Sequence, residues 1–228
     1  MSRKVPASAA WNLHDTALWY TCEIAADLVA GRLPHSKPEV LAAFPPQPPD
    51  ELFWASGQFQ LLELRTLGDG SYVHNGGFFF ATGPLGLAAT AATAIGRAAG
   101  NGARRKAAAQ AAVPRWTVID TGWAYIAPSG FAMQSQGGVF HWSGGSIQAA
   151  QMVAPRTLHF YGNSSRGPIS WILVSDWAEL IFLTWALRHH PRHPQLLDGG
   201  WLPPGWLTRC AGYSHGTRLP RPELSRSP

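Results

Sequence analysis

Residues 116–153 read WTVIDTGWAYIAPSGFAMQSQGGVFHWSGGSIQAAQMV, and the rhythm of this stretch decides the fold. Val118, Asp120, Gly122, Ala124 and Ile126 alternate with Thr117, Ile119, Thr121, Trp123 and Tyr125. That period of two is the mark of an extended strand, and here both faces carry apolar groups. Pro128-Ser129-Gly130 signals a turn, and Phe131–Gln134 returns. Gln136-Gly137-Gly138 turns again into Val139–Trp142, and Ser143-Gly144-Gly145 precedes a strand over Ile147–Val153. Thr157–Tyr161 and Ile169–Val174 form a last pair around a Gly, Asn and Ser-rich turn. The spacing predicts about six short strands, as in a barrel or sandwich.

The strands give way to Asp176-Trp177-Ala178-Glu179, which reads as the start of a helix with a carboxylate cap and a Glu three residues on. Trp177, Leu180, Ile181, Thr184 and Trp185 share one face. Phe182, Leu183, Ala186 and Leu187 cover much of the rest, so the helix is expected to be buried on more than one side. Arg188, His189 and His190 at its end suit the negative pole of the helix dipole.

Upstream, Asp15 or Thr16 is expected to cap a helix running to about Ala30, with Leu18, Cys22, Ala25, Leu28 and Val29 at helical spacing. Pro45-Pro46-Gln47-Pro48-Pro49 is a stiff connector. Phe59–Arg65, a turn at Gly68–Ser71 and Tyr72–His74 read as a β-hairpin. Val73–Gly96 carries no charge, but its Gly, Ala and Thr gain little from hydrocarbon and Pro84 interrupts it. Two small-residue helices, from about Pro84 and over Ala103–Ala112, are the better reading. The resulting division is an N-terminal helical segment (1–44), linker, hairpin and Gly/Ala-rich helices (45–115), a strand-rich domain (116–190), and a Pro/Trp-rich extension with a flexible tail (191–228).

The pattern at residues 116–190 resembles the PH-like superfold, and GRAM domains and bacterial PH-like domains above all. The likeness rests on the strand through Gly122, Ala124 and Ile126, the tight turn, the strand Phe131–Gln134, the Trp-bearing strand at Trp142, the start at Ser146-Ile147 and the closing helix. It implies an α+β architecture: a small β-barrel or orthogonal sandwich capped by a C-terminal α-helix, here with an N-terminal helical and β-hairpin extension. The family's usual turn carries Thr and Arg where this chain has Ala127 and Gly130, so no ligand residue transfers. The fold hosts lipid, peptide and purely structural roles and does not by itself fix function.

Composition narrows the field. The 228 residues are 46% hydrophobic and only 14% charged, with 11 Trp, which excludes a disordered chain. Two cysteines, Cys22 and Cys210, suit a reducing cytosol, and Met1–Ala10 lacks the apolar run of a secretory signal. A net charge of +5 favours an anionic partner.

Catalytic patterns fail one by one. Gly212–Gly216 matches a nucleophile elbow, but no His or Asp follows its Ser214-His215 to complete a triad. His189, His190 and His193 have no Cys or carboxylate at metal-ligand spacing, so no metal is expected. Phosphate cradles are absent and no cofactor is implied. The best binding signal is the basic cluster Arg97, Arg104, Arg105, Lys106 and Arg115, beside the apolar Phe78-Phe79-Phe80, a combination suited to an anionic membrane surface. Nucleic acid fits less well, because no recognition motif accompanies the charge.

The expectation is therefore a non-enzymatic, cytoplasmic bacterial protein, peripheral at a membrane or bound to protein partners, self-association included. The alternative is an enzyme or small-molecule binder using an apolar barrel pocket, with Asp120, His141 and His159 as its polar groups.

Overall fold

The computed structural model describes residues 10–35, 37–66, 106, 107, 109, 112–164 and 167–213. It is α+β: a curled, antiparallel, seven-stranded sheet forms half a barrel, accompanied by helices. In chain order the elements are α1 (Leu13–Val29), β1 (Ala55–Arg65), β2 (Arg115–Ala127), β3 (Gly130–Ser135), β4 (Gly138–Ser143), β5 (Ile147–Ala154), β6 (Thr157–Ser164), β7 (Gly167–Ser175), α2 (Ala178–His189), α3 (Pro194–Leu197) and α4 (Trp206–Tyr213). The chain falls into two compact units, residues 1–62 with 118–228, and residues 63–117. The smaller unit shows, among its described residues, the exposed Lys106 and Arg115, an Arg65–Glu63 ion pair and a Thr117 hydroxyl bond to the Arg115 carbonyl.

Local chemistry explains the elements. Helix α1 is capped by Asn12, whose side chain accepts the Asp15 N–H while the Asp15 carboxylate accepts the Asn12 N–H. The expected caps, Asp15 or Thr16, thus both lie inside the helix, and Asp15 is the third residue of a capping box. Two-residue turns at Pro128-Ser129, Gln136-Gly137 and Pro155-Arg156 close successive antiparallel pairs. The six strands expected after Trp116 are present as β2–β7, in the expected order.

The strand order is β4-β3-β2-β1-β7-β6-β5. Strand β1 contains the Phe59–Arg65 segment expected as the first strand of a hairpin, and it lies between β2 and β7 in the sheet. Its partner strands are far away in sequence, which local periodicity does not report. The rest of the expected hairpin, Gly68–His74, and the helix from Pro84 lie outside the described residues, as does most of Ala103–Ala112.

The inner face of the sheet and α2 enclose the core. Residues Ala178–Ala186 are buried without interruption, and Phe160, Phe182, Leu173, Leu180 and Ile126 have no measurable exposure. Burial of each such side chain stabilises by about 1.5–3 kcal/mol. Trp177, the residue before α2, packs on β1 where only a glycine fits: a Cβ on Gly57 would lie 2.7 Å from the Trp177 ring. Because Trp177 is itself buried, Gly57→Ala is expected to lower the unfolding free energy by about 2 kcal/mol in a urea titration. A change below about 0.5 kcal/mol would show that the indole moves aside freely.

The capping box expected at Asp176–Glu179 is not formed. Trp177 occupies the N-cap, and no side chain bonds there. Asp176 is taken by Arg156, its Oδ1 lying 2.7 Å from the guanidinium Nε, and Glu179 turns into the interior. The Pro/Trp-rich extension packs on the fold: Trp201 and Trp206 are buried, and α4 begins at Trp206, directly after Pro203-Pro204-Gly205.

Candidate functional site

The interior of the half-barrel is filled. Trp142 meets Trp171 and Phe160 edge-on at centroid distances of 5.3 and 6.1 Å, and Phe131 meets Phe160 at 6.2 Å. Edge-to-face aromatic packing of this kind leaves little free volume. Between α2 and the β2–β3 turn, beside Phe131, Ile147, Ile181 and Trp185, the gap is about 10 Å³, roughly one water.

Strands β2, β4 and β6 carry the three polar residues proposed for a barrel pocket, and the described cavities do not unite them. Asp120 accepts the N–H of its neighbour Thr121 at 2.9 Å. His141 meets Phe44 edge-on at 5.8 Å and lines a cavity of about 170 Å³ with Gln47, Phe53 and Trp142. His159 lies with its Nε2 3.0 Å from the Ser170 hydroxyl and its ring 4.5 Å from Tyr161, and burial pushes its pKa below the ordinary imidazole value. The Pro-rich connector explains the His141 cavity. Glu51 accepts both the N–H and the hydroxyl of Ser129, and Trp54 donates to the Ile126 carbonyl, so Phe44 and Phe53 are held against Tyr125 at 5.0 and 5.4 Å.

Of the basic cluster, Lys106 and Arg115 are exposed cations, one helical and one opening β2. Arg97, Arg104 and Arg105 lie outside the described residues. No described helix is long and apolar enough to cross a membrane. Among the described residues no group of three His, Cys, Asp or Glu is arranged to hold a metal ion.

The most unusual polar arrangement lies where α1, α2 and the β5–β6 turn converge. Glu179 is 1% exposed. Its Oε1 is 3.0 Å from His14 Nε2 and accepts the Arg156 N–H at 2.8 Å, while its Oε2 is buried with no hydrogen-bond partner. Arg156 sits at φ 64°, a left-handed conformation that non-glycine residues adopt only under outside constraint. Three constraints are visible: its N–H on Glu179, its guanidinium on Asp176, and its carbonyl accepting the Ser175 N–H at 2.9 Å. The same arginine edges an open groove of about 540 Å³ with Gln58, Gln60, Thr121, Trp123 and Val174. The signal for Glu179 was in the sequence, a lone carboxylate in an otherwise apolar helix, but its spacing from Asp176 matched a capping box as well.

A second convergence joins α1 to α4. Arg209 grips the buried Asp15 through two nitrogens and donates to the Ala10 carbonyl, and Trp11 packs on Trp206 at 5.7 Å. Cys22 and Cys210 are both free thiols here. Burial raises the pKa of each, Cys210 to about 11, so neither is poised as a nucleophile near neutrality.

No family model, no curated protein and no solved structure matches the chain.

Proposed function

We propose that the chain is a non-enzymatic, cytoplasmic binding or scaffold protein built on a PH-like domain over residues 116–190, which joins protein partners or an anionic membrane surface. The strand order β4-β3-β2-β1-β7-β6-β5 followed by a buried helix supports the PH-like reading. The observation that carries the binding role is the packed interior. With Trp142, Phe160 and Trp171 interlocked, the barrel offers its outer surface and edges to partners. The alternative, an enzyme or small-molecule binder with an apolar barrel pocket, has less support, since its three polar residues have separate engagements.

Vesicle flotation tests the membrane arm. The protein is expected to float with vesicles of mixed phosphatidylserine and phosphatidylcholine more than with phosphatidylcholine alone, and to lose the difference in added salt. Changing Arg104, Arg105 and Lys106 together to Ala should weaken binding to the anionic vesicles by tenfold or more, on the basis of about 1 kcal/mol per cation. Equal, negligible flotation with both vesicles would remove the membrane arm and leave protein association.

A further inference from the structure

The two edges of the sheet are finished differently. Along β5, Gln195 accepts the Met152 N–H at 2.9 Å and donates to the Met152 carbonyl at 2.8 Å, so its amide imitates a neighbouring strand. The Trp185 indole N–H donates to the Ile147 carbonyl at 3.1 Å. Helices α2 and α3 thus close that edge with side chains.

Strand β4, at the opposite edge, has no such cover among the described residues. Its register with β3, together with the Gly144 N–H bonded to the Ser129 carbonyl at 2.7 Å, assigns Gly138, Phe140 and Trp142 to the inward-bonding positions. Alternation in an antiparallel ladder then turns the N–H and C=O of Val139, His141 and Ser143 outward. The strand lacks the lysine, proline or bulge that ordinarily guards an edge, and Val139 and Phe140 are 37% and 48% exposed.

We propose that β4 pairs antiparallel with β4 of a second copy of this chain across a two-fold axis. A strand laid antiparallel against itself is automatically in register about a dyad, so one surface supplies both halves of the contact. With the axis at His141, Val139 faces the partner's Ser143 and Phe140 faces the partner's Trp142. All three outward-turned residues of each copy then find backbone partners. β4 contains no Asp, Glu, Lys or Arg, so no fixed charge meets its own image. The contact is short, about 20 Å of strand, which implies a reversible dimer of micromolar affinity rather than a permanent one. This deepens the binding-scaffold reading by naming one surface and one partner.

The experiment is sedimentation equilibrium of the full chain from about 1 to about 500 µM, with amide exchange read at both ends of that range. The expected result is a mass rising from monomer toward dimer, with slower exchange at Val139, His141 and Ser143 at the higher concentration. Val139→Lys should weaken the association at least tenfold, while Val153→Lys, an exposed position on the closed β5 edge, should leave it unchanged. A monomer throughout, a dimer indifferent to Val139→Lys, or slow exchange of those amides at every concentration would overturn the pairing. The last result would mean that another part of the same chain holds the edge. A monomer that still floats with anionic vesicles would remove the β4 contact and leave the binding role intact.

Discussion

His14→Ala is expected to destabilise the protein by about 3–4 kcal/mol, a loss far beyond that of an ordinary surface histidine. The reason is Glu179. Its carboxylate is 1% exposed, one oxygen is shared between His14 and the Arg156 N–H, and the other has no partner. Removing the imidazole strands a buried acid with a single donor, and stranding one member of a buried pair costs more than the pair itself contributes. The control is Glu179→Gln, which keeps an acceptor for both donors and removes the charge. In that background His14→Ala should cost only about 1 kcal/mol, the worth of a neutral hydrogen bond. A double-mutant cycle by urea unfolding therefore reads a coupling of about 2–3 kcal/mol. Equal costs in the two backgrounds would show that His14 serves only as packing.

The legible and illegible parts of this chain divide along a physical line. Strands β2–β5 announce themselves, because they are runs of extended residues broken by Pro-Ser-Gly, Gln-Gly-Gly and Ser-Gly-Gly, and turns of that kind need nothing beyond their neighbours. Helix α2 does so as well, through an apolar surface too wide for a solvated helix. What stays hidden depends on partners far away in sequence. β1 alternates like one arm of a hairpin, and its place between β2 and β7 is set by partners that local alternation does not name. Asp176 and Glu179 have the spacing of a cap, yet Arg156 draws one away and the burial of α2 draws the other inward. Asp120, His141 and His159 are odd polar groups on apolar strands, and each finds its own local engagement.

Arg209→Ala should produce the other large loss, about 3 kcal/mol, and for a different reason: it releases α4 from α1. Asp15 serves α1 twice, closing the capping box with Asn12 and receiving two nitrogens of Arg209 from α4. The carboxylate is 8% exposed as a side chain, so its charge depends on those donors more than on water. Two-nitrogen binding of a carboxylate is a property of the guanidinium fork, and Arg209→Lys should therefore recover less than half of the loss. The same substitution frees Trp206 from Trp11, which sits within 6.0 Å of the guanidinium, so tryptophan emission should shift to the red before global unfolding. Limited proteolysis supplies the decisive reading: cleavage in 199–205, just ahead of α4, should accelerate well before cleavage within β2–β7. If both regions become susceptible together, α4 is part of the single cooperative core, and the ion pair stabilises the whole fold rather than fastening α4 alone.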